Sequence, residues 1–364
     1  MKKFAACFSD LDDPRAENAL HDLTEILFIA LLANLCGATS CSDMEEFGLA
    51  KEPLLRKVLR LDYGIPSHDT FSRVFRLLDP QAFEEAFRSF MAAFAKGAKI
   101  KKAKGVVALD GKALRGAYER GQSHMPRVIV TAWGAQTRMS LASTFAPDKN
   151  ETKAALQLIE LLQLRDCVVT ADAAHGHRAM AGAIVEHGGD YVLAVKGNQE
   201  ALLADAVAAV NAAGKRASPF STKDEAHGRR EQRTAVVVPA ENLADKHKFP
   251  GLKAVARVVS RRGGDQPVVR YFVLSKLFPP DRLLDIVRTH WSIENGLHWV
   301  LDVVLDEDLA RSRKDHAPEN LALLRRLALN VARAHPDTKT SLRRKLLRAG
   351  WDQAFLLELI QHMR

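Results

Sequence analysis

Hydrophobic positions in the first hundred residues recur at the spacing of amphipathic helices. Asp22 is followed three residues later by Glu25, the capping-box pattern of a helix start, and a long apolar run comes next. Ser67 begins a second such pattern and Pro80 a third, with phenylalanines along one stripe. The sequence therefore predicts an all-helical unit over residues 1–98, which is either a helix-turn-helix DNA-binding module or a plain helical bundle.

A different pattern starts after the small, basic, linker-like segment 95–105. Short apolar runs rich in β-branched residues predict three strands, a helix, a strand, a helix and a strand before residue 198, which is an α/β order. Alternating runs with basic residues predict a β-rich insertion at about 199–282. The segment 315–364 has the pattern of basic helices, whose charge is explained either by DNA or by a solvated face.

Two aspartates follow continuous apolar runs in the α/β part. Asp110 follows VVAL and Asp172 follows VVTA, so each is expected at the end of a buried strand. A single aspartate there is simply explained as a cap of the next turn. Two on adjacent strands would repel one another, and divalent cations such as Mg²⁺, which prefer carboxylate oxygens, would relieve that repulsion.

Glu294 falls in a later stretch with a helical pattern. His290, Trp291 and His298 lie near it at helical spacings, so this helix could bring a third carboxylate to the two aspartates. Taken alone, this glutamate is better explained by a surface salt bridge.

Composition and charge narrow the partner and the compartment. The formal net charge of +9 and the pI of about 9.4 fit a nucleic-acid partner as well as a merely basic enzyme. The four cysteines form no C-x-x-C pair, which favours a reducing compartment over a zinc or disulfide framework. The basic start lacks the apolar region of a signal peptide, and the most apolar run is too short to span a bilayer. We expect a cytoplasmic, nucleoid-associated protein.

Several long motifs together resemble the DDE transposases of bacterial insertion sequences, in the branch of the H-repeat-associated proteins. The acidic motifs are VVALDGKALRG, VVTADAAH and RTHWSIENGLHWVLDVVLDEDLARSR, which contain Asp110, Asp172 and Glu294. HDLTEILFIALLANLCGATS and GIPSHDTFSRVFRLLDP resemble the helical domain associated with these transposases, and YVLAVKGNQ and HGRREQR also fit. The resemblance covers nearly the whole chain.

The resemblance implies a fold and a mechanism. The fold is an RNase H-like core over 99–364, a mixed five-stranded sheet flanked by helices, beside the N-terminal helical domain. The mechanism uses two Mg²⁺ or Mn²⁺ ions about 4 Å apart. Asp110 would bridge both ions, while Asp172 and Glu294 each hold one. The reaction would cut the element's terminal inverted repeats and transfer a 3′-hydroxyl into target DNA, with a homodimer expected on DNA.

The sequence departs from many insertion-sequence transposases around the glutamate. Val287, His290 and Leu301 stand where those enzymes have Tyr, Arg and Lys. Other residues are therefore candidates for contacts with phosphates and bases. His175 could contact a metal, the scissile phosphate or water. The DNA-binding candidates are Lys112, Arg115, His175, Lys196, Asn198, Arg229, Arg288, His290, Trp291, Asn295, His298, Arg311, Arg313, Arg325 and Arg326.

Two further interpretations stay open at the level of sequence. A metal-dependent nuclease could use the same carboxylates without strand transfer. A domesticated relative could bind DNA without catalysis, although the presence of all three acidic residues disfavours it.

Overall fold

The computed structural model describes residues 2–97, 105–117, 127–146, 150–214, 217–226, 229–240 and 242–361. Most of the predicted basic linker, residues 98–104, lies outside these ranges, and so does the side chain of Arg229. No helix in the described ranges is both long enough and apolar enough to cross a membrane.

The N-terminal part is helical, as predicted. Its helices are α1 (Lys2–Phe8), α2 (Leu23–Leu35), α3 (Cys41–Leu55), α4 (His68–Leu77) and α5 (Pro80–Gly97).

Side chains cap these helices in part as the sequence indicates. The Asp22 carboxylate accepts the backbone N–H of Glu25 at 2.9 Å, and the Ser67 hydroxyl caps α4. Glu25 does not complete the predicted capping box, because its carboxylate accepts the N–H groups of Arg60 and Leu61 at 2.7 and 3.3 Å. The N-cap is therefore at the predicted residue, but Glu25 connects α2 to the loop at Arg60 and Leu61 and does not bond back to the cap.

Helix α2 is buried on nearly all sides. Its residues share one hydrophobic cluster with α1, α5 and the later helix α12 (Ala317–Ala334). A helix enclosed in this way cannot enter a DNA groove, so the plain-bundle interpretation fits α2. The N-terminal helices and the C-terminal end therefore pack around a common core, although the chain changes character near residue 98.

Five strands of the α/β part form the predicted mixed sheet. They are β1 (Gly105–Leu114), β2 (Arg127–Gly134), β3 (Met139–Phe145), β4 (Cys167–Ala171) and β5 (Asp190–Val195), in the order β3-β2-β1-β4-β5. Strands β1, β4 and β5 run parallel, while β2 and β3 are antiparallel to their neighbours. Helix α6 (Glu151–Glu160) leads from β3 into β4, and α7 (Arg178–Glu186) connects the parallel strands β4 and β5. This is the RNase H-like arrangement that the resemblance implies.

The insertion continues this sheet. Its strands are β6 (Phe220–Ala226), β7 (Arg229–Pro239), β8 (Ala254–Arg262) and β9 (Val268–Leu274). Strand β9 pairs antiparallel with β5, so the nine strands have the order β3-β2-β1-β4-β5-β9-β8-β7-β6. Helices α8 (Glu200–Ala213) and α9 (Leu243–His247) also belong to the insertion. The sequence indicated that the insertion is rich in β-strands. It did not indicate β6 or α8, nor that the insertion strands join the five core strands in one sheet.

Helices return after the insertion. Helix α10 (Pro280–His290) leads into a π-helical turn, Glu294–His298, which passes directly into α11 (Trp299–Val303). The chain then forms α12, α13 (Leu342–Trp351) and α14 (Gln353–Leu359). Bulges of the π type are frequent at functional sites, and this one carries the predicted glutamate.

Candidate active site

Three carboxylates from distant parts of the chain line one cleft of about 610 Å³: Asp110, Asp172 and Glu294. Strands β1 and β4 are parallel neighbours whose pairing ends at Leu109 and Ala171, immediately before the two aspartates. Strand β1 itself continues to Leu114 along β2, so Asp110 does not end a strand as expected. It lies where the parallel partner stops, which still places the two aspartates together at the same edge.

Burial and neighbouring negative charges oppose the ionisation of Asp110. Its carboxylate is 24% exposed and accepts the N–H of Gly111 at 3.0 Å. Burial raises its pKa to about 7, and the negative charges of Glu294, Asp172 and Glu151 add to the effect. A carboxylate held in this way gains most from a nearby cation.

Asp172 has a cation from the chain itself. Lys196 follows β5, and its Nζ lies 3.0 Å from Oδ1 of Asp172. Burial alone would raise the pKa of Asp172, but Lys196, the N–H of Ala173 and the charge of His290 together lower it. The cleft therefore holds one carboxylate that favours its proton and one that favours ionisation.

Glu294 is positioned by a close contact beneath its turn. A methyl group on Gly296 would lie 2.9 Å from Cζ2 of Trp133 on β2, so only glycine lets the turn lie this close to the indole. The indole N–H donates to the Ser292 hydroxyl at 3.2 Å, and the Arg333 guanidinium stacks on the ring while donating to the carbonyl of Gly296. Contacts on both sides hold the turn against the sheet.

His298 is the last residue of the π-helical turn that Glu294 begins, four residues after it. Its Nδ1 is 3.4 Å from Oε2 of Glu294 and 3.6 Å from Oδ2 of Asp110. The side chain is 8% exposed, and burial lowers its pKa to about 3, helped by the charges of Arg326 and Lys112. Among the described residues, ligand atoms of Asp110, Glu294 and His298 all lie within 4.8 Å of one another and could hold a metal ion.

Lys112 was expected to contact a phosphate, but its ammonium group is buried and cannot reach DNA in this arrangement. Its side chain is buried in β1, and its Nζ lies 2.7 Å from Asp302 Oδ1, 3.0 Å from Asp308 Oδ1 and 3.7 Å from Glu307 Oε2. These partners follow the turn Glu294–His298 in sequence. Lys112 therefore ties the segment after that turn to β1.

Arg325 and Arg326 are also interior residues, and we correct their assignment to DNA. Arg326 is fully buried on α12 and pairs with the buried Glu307 at 2.8 Å. The Arg325 guanidinium, also buried, donates to the carbonyl of Thr39 at 3.3 Å. A guanidinium enclosed by protein cannot reach a phosphate in this arrangement, so both groups instead bind the helices together.

Several other predicted DNA contacts reach the surface. The exposed ones are Arg115, Lys196, Arg288, Trp291, Asn295 and Arg311. Arg288 lies 3.3 Å from Asp224 of β6, and the Arg270 guanidinium stands 5.3 Å from the centre of the Trp291 ring. Lys196 and Trp291 border the cleft with the carboxylates. Arg313 is half-buried and donates to the carbonyl of Gly116 at 2.9 Å.

Asn198 is also exposed, and its side-chain amide donates to the carbonyl of Ala173 at 2.9 Å, in the loop after Asp172. Two histidine candidates are more enclosed. His290 shares a 3.0 Å hydrogen bond with the Thr170 hydroxyl, and burial lowers its pKa to about 4. His175 is buried, with Nε2 3.7 Å from the Glu151 carboxylate.

Sequence reasoning missed Glu307 and Asp308, two of the carboxylates around Lys112, and Glu151, which adds negative charge beside Asp110. The acidic run DEDL near the end of the third motif was a visible signal for the first two, because buried carboxylates require a cation partner.

The chain belongs to the family of the DDE transposases, and its mixed sheet with flanking helices agrees with that membership. The family model described as a transposase DDE domain matches residues 101–331, and the model described as DDE_Tnp_1-associated matches residues 5–91. These matches confirm the resemblance seen in the acidic motifs and the N-terminal helices.

Named relatives point to the same branch. The "H repeat-associated putative transposase YhhI" of Escherichia coli (strain K12) is 29% identical over 93% of this chain and 92% of its own length. The "Putative transposase YncI" of Escherichia coli O157:H7 is 31% identical over 93% of this chain and 89% of its own. A solved piggyBac transposase in a synaptic complex with hairpin DNA aligns over all of this chain and 77% of that one, with a TM-score of 0.44 and 11% identity.

Proposed function

We propose that this transposase cuts DNA at the ends of its element and joins the freed 3′-hydroxyl to target DNA, with Asp110, Asp172 and Glu294 as its catalytic carboxylates. The observation that carries the proposal is their convergence on one cleft from β1, β4 and the π-helical turn. Water attacks the scissile phosphorus and the bond to the 3′-oxygen breaks, which leaves a 3′-hydroxyl and a 5′-phosphate. That hydroxyl then attacks a target phosphorus and displaces a target 3′-oxygen.

The cofactors proposed are two Mg²⁺ or Mn²⁺ ions. The residues fit them, because burial first and the negative charges of Glu294, Asp172 and Glu151 second raise the pKa of Asp110 to about 7, and a bound cation would relieve both effects. The oxygen atoms of Asp110 and Glu294 also lie close enough to share an ion. Divalent ions bound there supply electrostatic stabilisation of the phosphoryl group and lower the pKa of the attacking water or hydroxyl.

The residues at the rim bind and orient DNA in this proposal. Lys196 is 62% exposed, so its ammonium can pair with a phosphate oxygen while it stays near Asp172. Trp291 and Asn295 present an exposed ring and amide beside Glu294, and Arg288 and Arg311 extend the positive surface. Asn198 is exposed just past β5 and stays a candidate for a phosphate contact, whereas His175 and His290 keep the strand ends in place.

The partners proposed are the terminal inverted repeats, target DNA and a second copy of this chain. The net charge of +9 supports a polyanionic partner. Two element ends must be held together for joining, which favours a homodimer on DNA. We propose that the protein acts on DNA in the bacterial cytoplasm, at the nucleoid.

A cleavage and strand-transfer assay with duplexes of the inverted repeats that flank the gene tests this proposal. Asp110→Asn, Asp172→Asn and Glu294→Gln should each abolish cleavage in Mg²⁺ or Mn²⁺ while DNA binding persists. Glu186→Gln is the matched control, since this exposed carboxylate on α7 does not line the cleft. Full activity in any of the three cleft variants refutes the site. Cleavage by the wild type without joined product reduces the function to that of a nuclease.

A further inference from the structure

We infer that His298 is itself a metal ligand, through Nδ1, on the ion that Asp110 and Glu294 hold. The inference rests on the proposed metal-dependent function, and it adds a nitrogen donor to the three carboxylates. The observation that supports it is a buried imidazole placed between the carboxylates of Asp110 and Glu294.

The distances fit a shared ion better than direct hydrogen bonds. Nδ1 of His298 lies 3.4 Å from Glu294 and 3.6 Å from Asp110, longer than a good N–H to oxygen hydrogen bond. Metal bonds to imidazole nitrogen and carboxylate oxygen are about 2.1 Å long. Two donors on one ion can therefore be up to about 4.2 Å apart by that bond length, and both observed distances fall inside the limit.

Among the described residues, the buried imidazole of His298 has no hydrogen-bond partner that would explain its position. The side chain is 8% exposed, and its Nε2 is buried with no hydrogen-bond partner in the described part of the chain. Its Nδ1 faces two carboxylates at once, and an imidazole nitrogen beside two carboxylate oxygens is a donor set for a cation.

The π-helical turn makes the pair of ligands a unit. Glu294 and His298 are four residues apart on it, so their side chains lie on the same face. The Trp133 ring beneath Gly296 sets the height of the turn above β1. Both donors therefore reach Asp110 together, without a separate loop to order.

A nitrogen donor has a consequence for metal choice. Imidazole suits transition-metal ions such as Zn²⁺ best, and Mn²⁺, which also binds well to carboxylates, accepts an imidazole nitrogen more readily than Mg²⁺ does, because Mg²⁺ is held by oxygen donors and water. The protein should therefore bind Mn²⁺ more tightly than Mg²⁺ for a reason other than carboxylate charge. His298→Asp, which makes the set all-oxygen, should shift the preference toward Mg²⁺.

Pulsed electron paramagnetic resonance of the full chain loaded with Mn²⁺ alone tests the coordination directly. The wild type should show the coupling of a directly bound imidazole nitrogen, and ¹⁵N labelling of histidine should change that coupling. His298→Gln should abolish it and weaken Mn²⁺ binding by about tenfold or more, with a smaller change for Mg²⁺. His290→Gln and His187→Gln should keep it, as controls inside and outside the cleft.

The outcomes separate this inference from the proposed function. Bound Mn²⁺ with no nitrogen coupling in the wild type overturns the role of His298 and leaves the carboxylate site standing. Coupling that persists in His298→Gln, or disappears in His290→Gln, also overturns it. Mn²⁺ binding that is unaffected by Asp110→Asn refutes the carboxylate site itself. Because the wild-type spectrum is decisive, a variant that fails to fold does not weaken the test.

Discussion

Replacing Asp110, the central carboxylate of the proposed site, should make the metal-free protein more stable. Asp110 is held in the fold with a pKa of about 7, against an ordinary value of 3.8, because burial and neighbouring carboxylates oppose its ionisation. Asn has nearly the same shape as the protonated side chain but carries no charge. Asp110→Asn therefore removes the repulsion without opening a cavity.

The magnitude follows from the difference between the two pKa values. At about 1.4 kcal/mol for each pH unit, moving the pKa from 3.8 to about 7 costs the ionised folded state about 4 kcal/mol. The side chain is 24% exposed, and solvent reduces this cost. We expect a gain in the free energy of unfolding of about 2 kcal/mol above pH 7, or about 3 °C in melting temperature.

The pH dependence has a definite sign. The folded state holds the Asp110 proton more tightly than the unfolded state does, so the wild type loses stability as pH rises from 3.8 to about 7. Below that window the carboxyl is neutral in both states and the difference vanishes. The advantage of Asp110→Asn should therefore grow across the window and stay constant above it.

Thermal unfolding followed by circular dichroism in EDTA, at pH values from 4 to 8, measures this difference. Asp172→Asn is the matched control, because Lys196 and the N–H of Ala173 lower the pKa of Asp172, and its replacement should give no gain. Saturating Mn²⁺ should raise the melting temperature of the wild type and not that of Asp110→Asn. An Asp110→Asn protein no more stable than the wild type at pH 8 in EDTA refutes the reasoning.

Three further predictions concern the contacts around the site. Gly296→Ala forces a methyl group against the Trp133 ring, so the variant should lose about 1–3 kcal/mol by urea unfolding and bind Mn²⁺ more weakly; an unchanged affinity contradicts this positioning. Arg326→Met leaves the Glu307 charge buried and should cost about 3–5 kcal/mol, and adding Glu307→Leu should restore much of it. Lys196→Ala should lower the slope of log affinity against log salt for DNA by about one, and an unchanged slope argues against a phosphate contact.

The sequence predicted the strands that carry the two aspartates because their apolar runs are continuous. It placed Asp110 at a strand end, however, and the structure places it within β1. The apolar run stops at Leu109, where pairing with β4 ends, but pairing with β2 continues to Leu114. The hydrophobic pattern of a strand shows where the strand is buried. It does not show that pairing with one neighbouring strand continues after pairing with the other has ended.

The buried charges could not be predicted for a related reason. Adjacent arginines on α12 have the pattern of a solvated face, and the partner of Arg326 is Glu307, on a separate segment before that helix. Lys112 likewise faces carboxylates that come close only after β1 has packed against α11 and the turn at Glu307–Leu309. Such pairs depend on tertiary contacts that residue spacing does not encode.

The continuous nine-stranded sheet sets a limit on how this enzyme can be shortened. Strand β5 would be an open edge in a five-stranded core, with its backbone N–H and C=O groups ready to pair with another chain. Strand β9 covers that edge, the Ser275 hydroxyl caps the N–H of Tyr191, and the Tyr191 hydroxyl reaches the carbonyl of Pro250. A minimal core cut out without the insertion would expose this edge and aggregate, whereas trimming from the outermost strand β6 inward would leave the edge beside the catalytic strands covered.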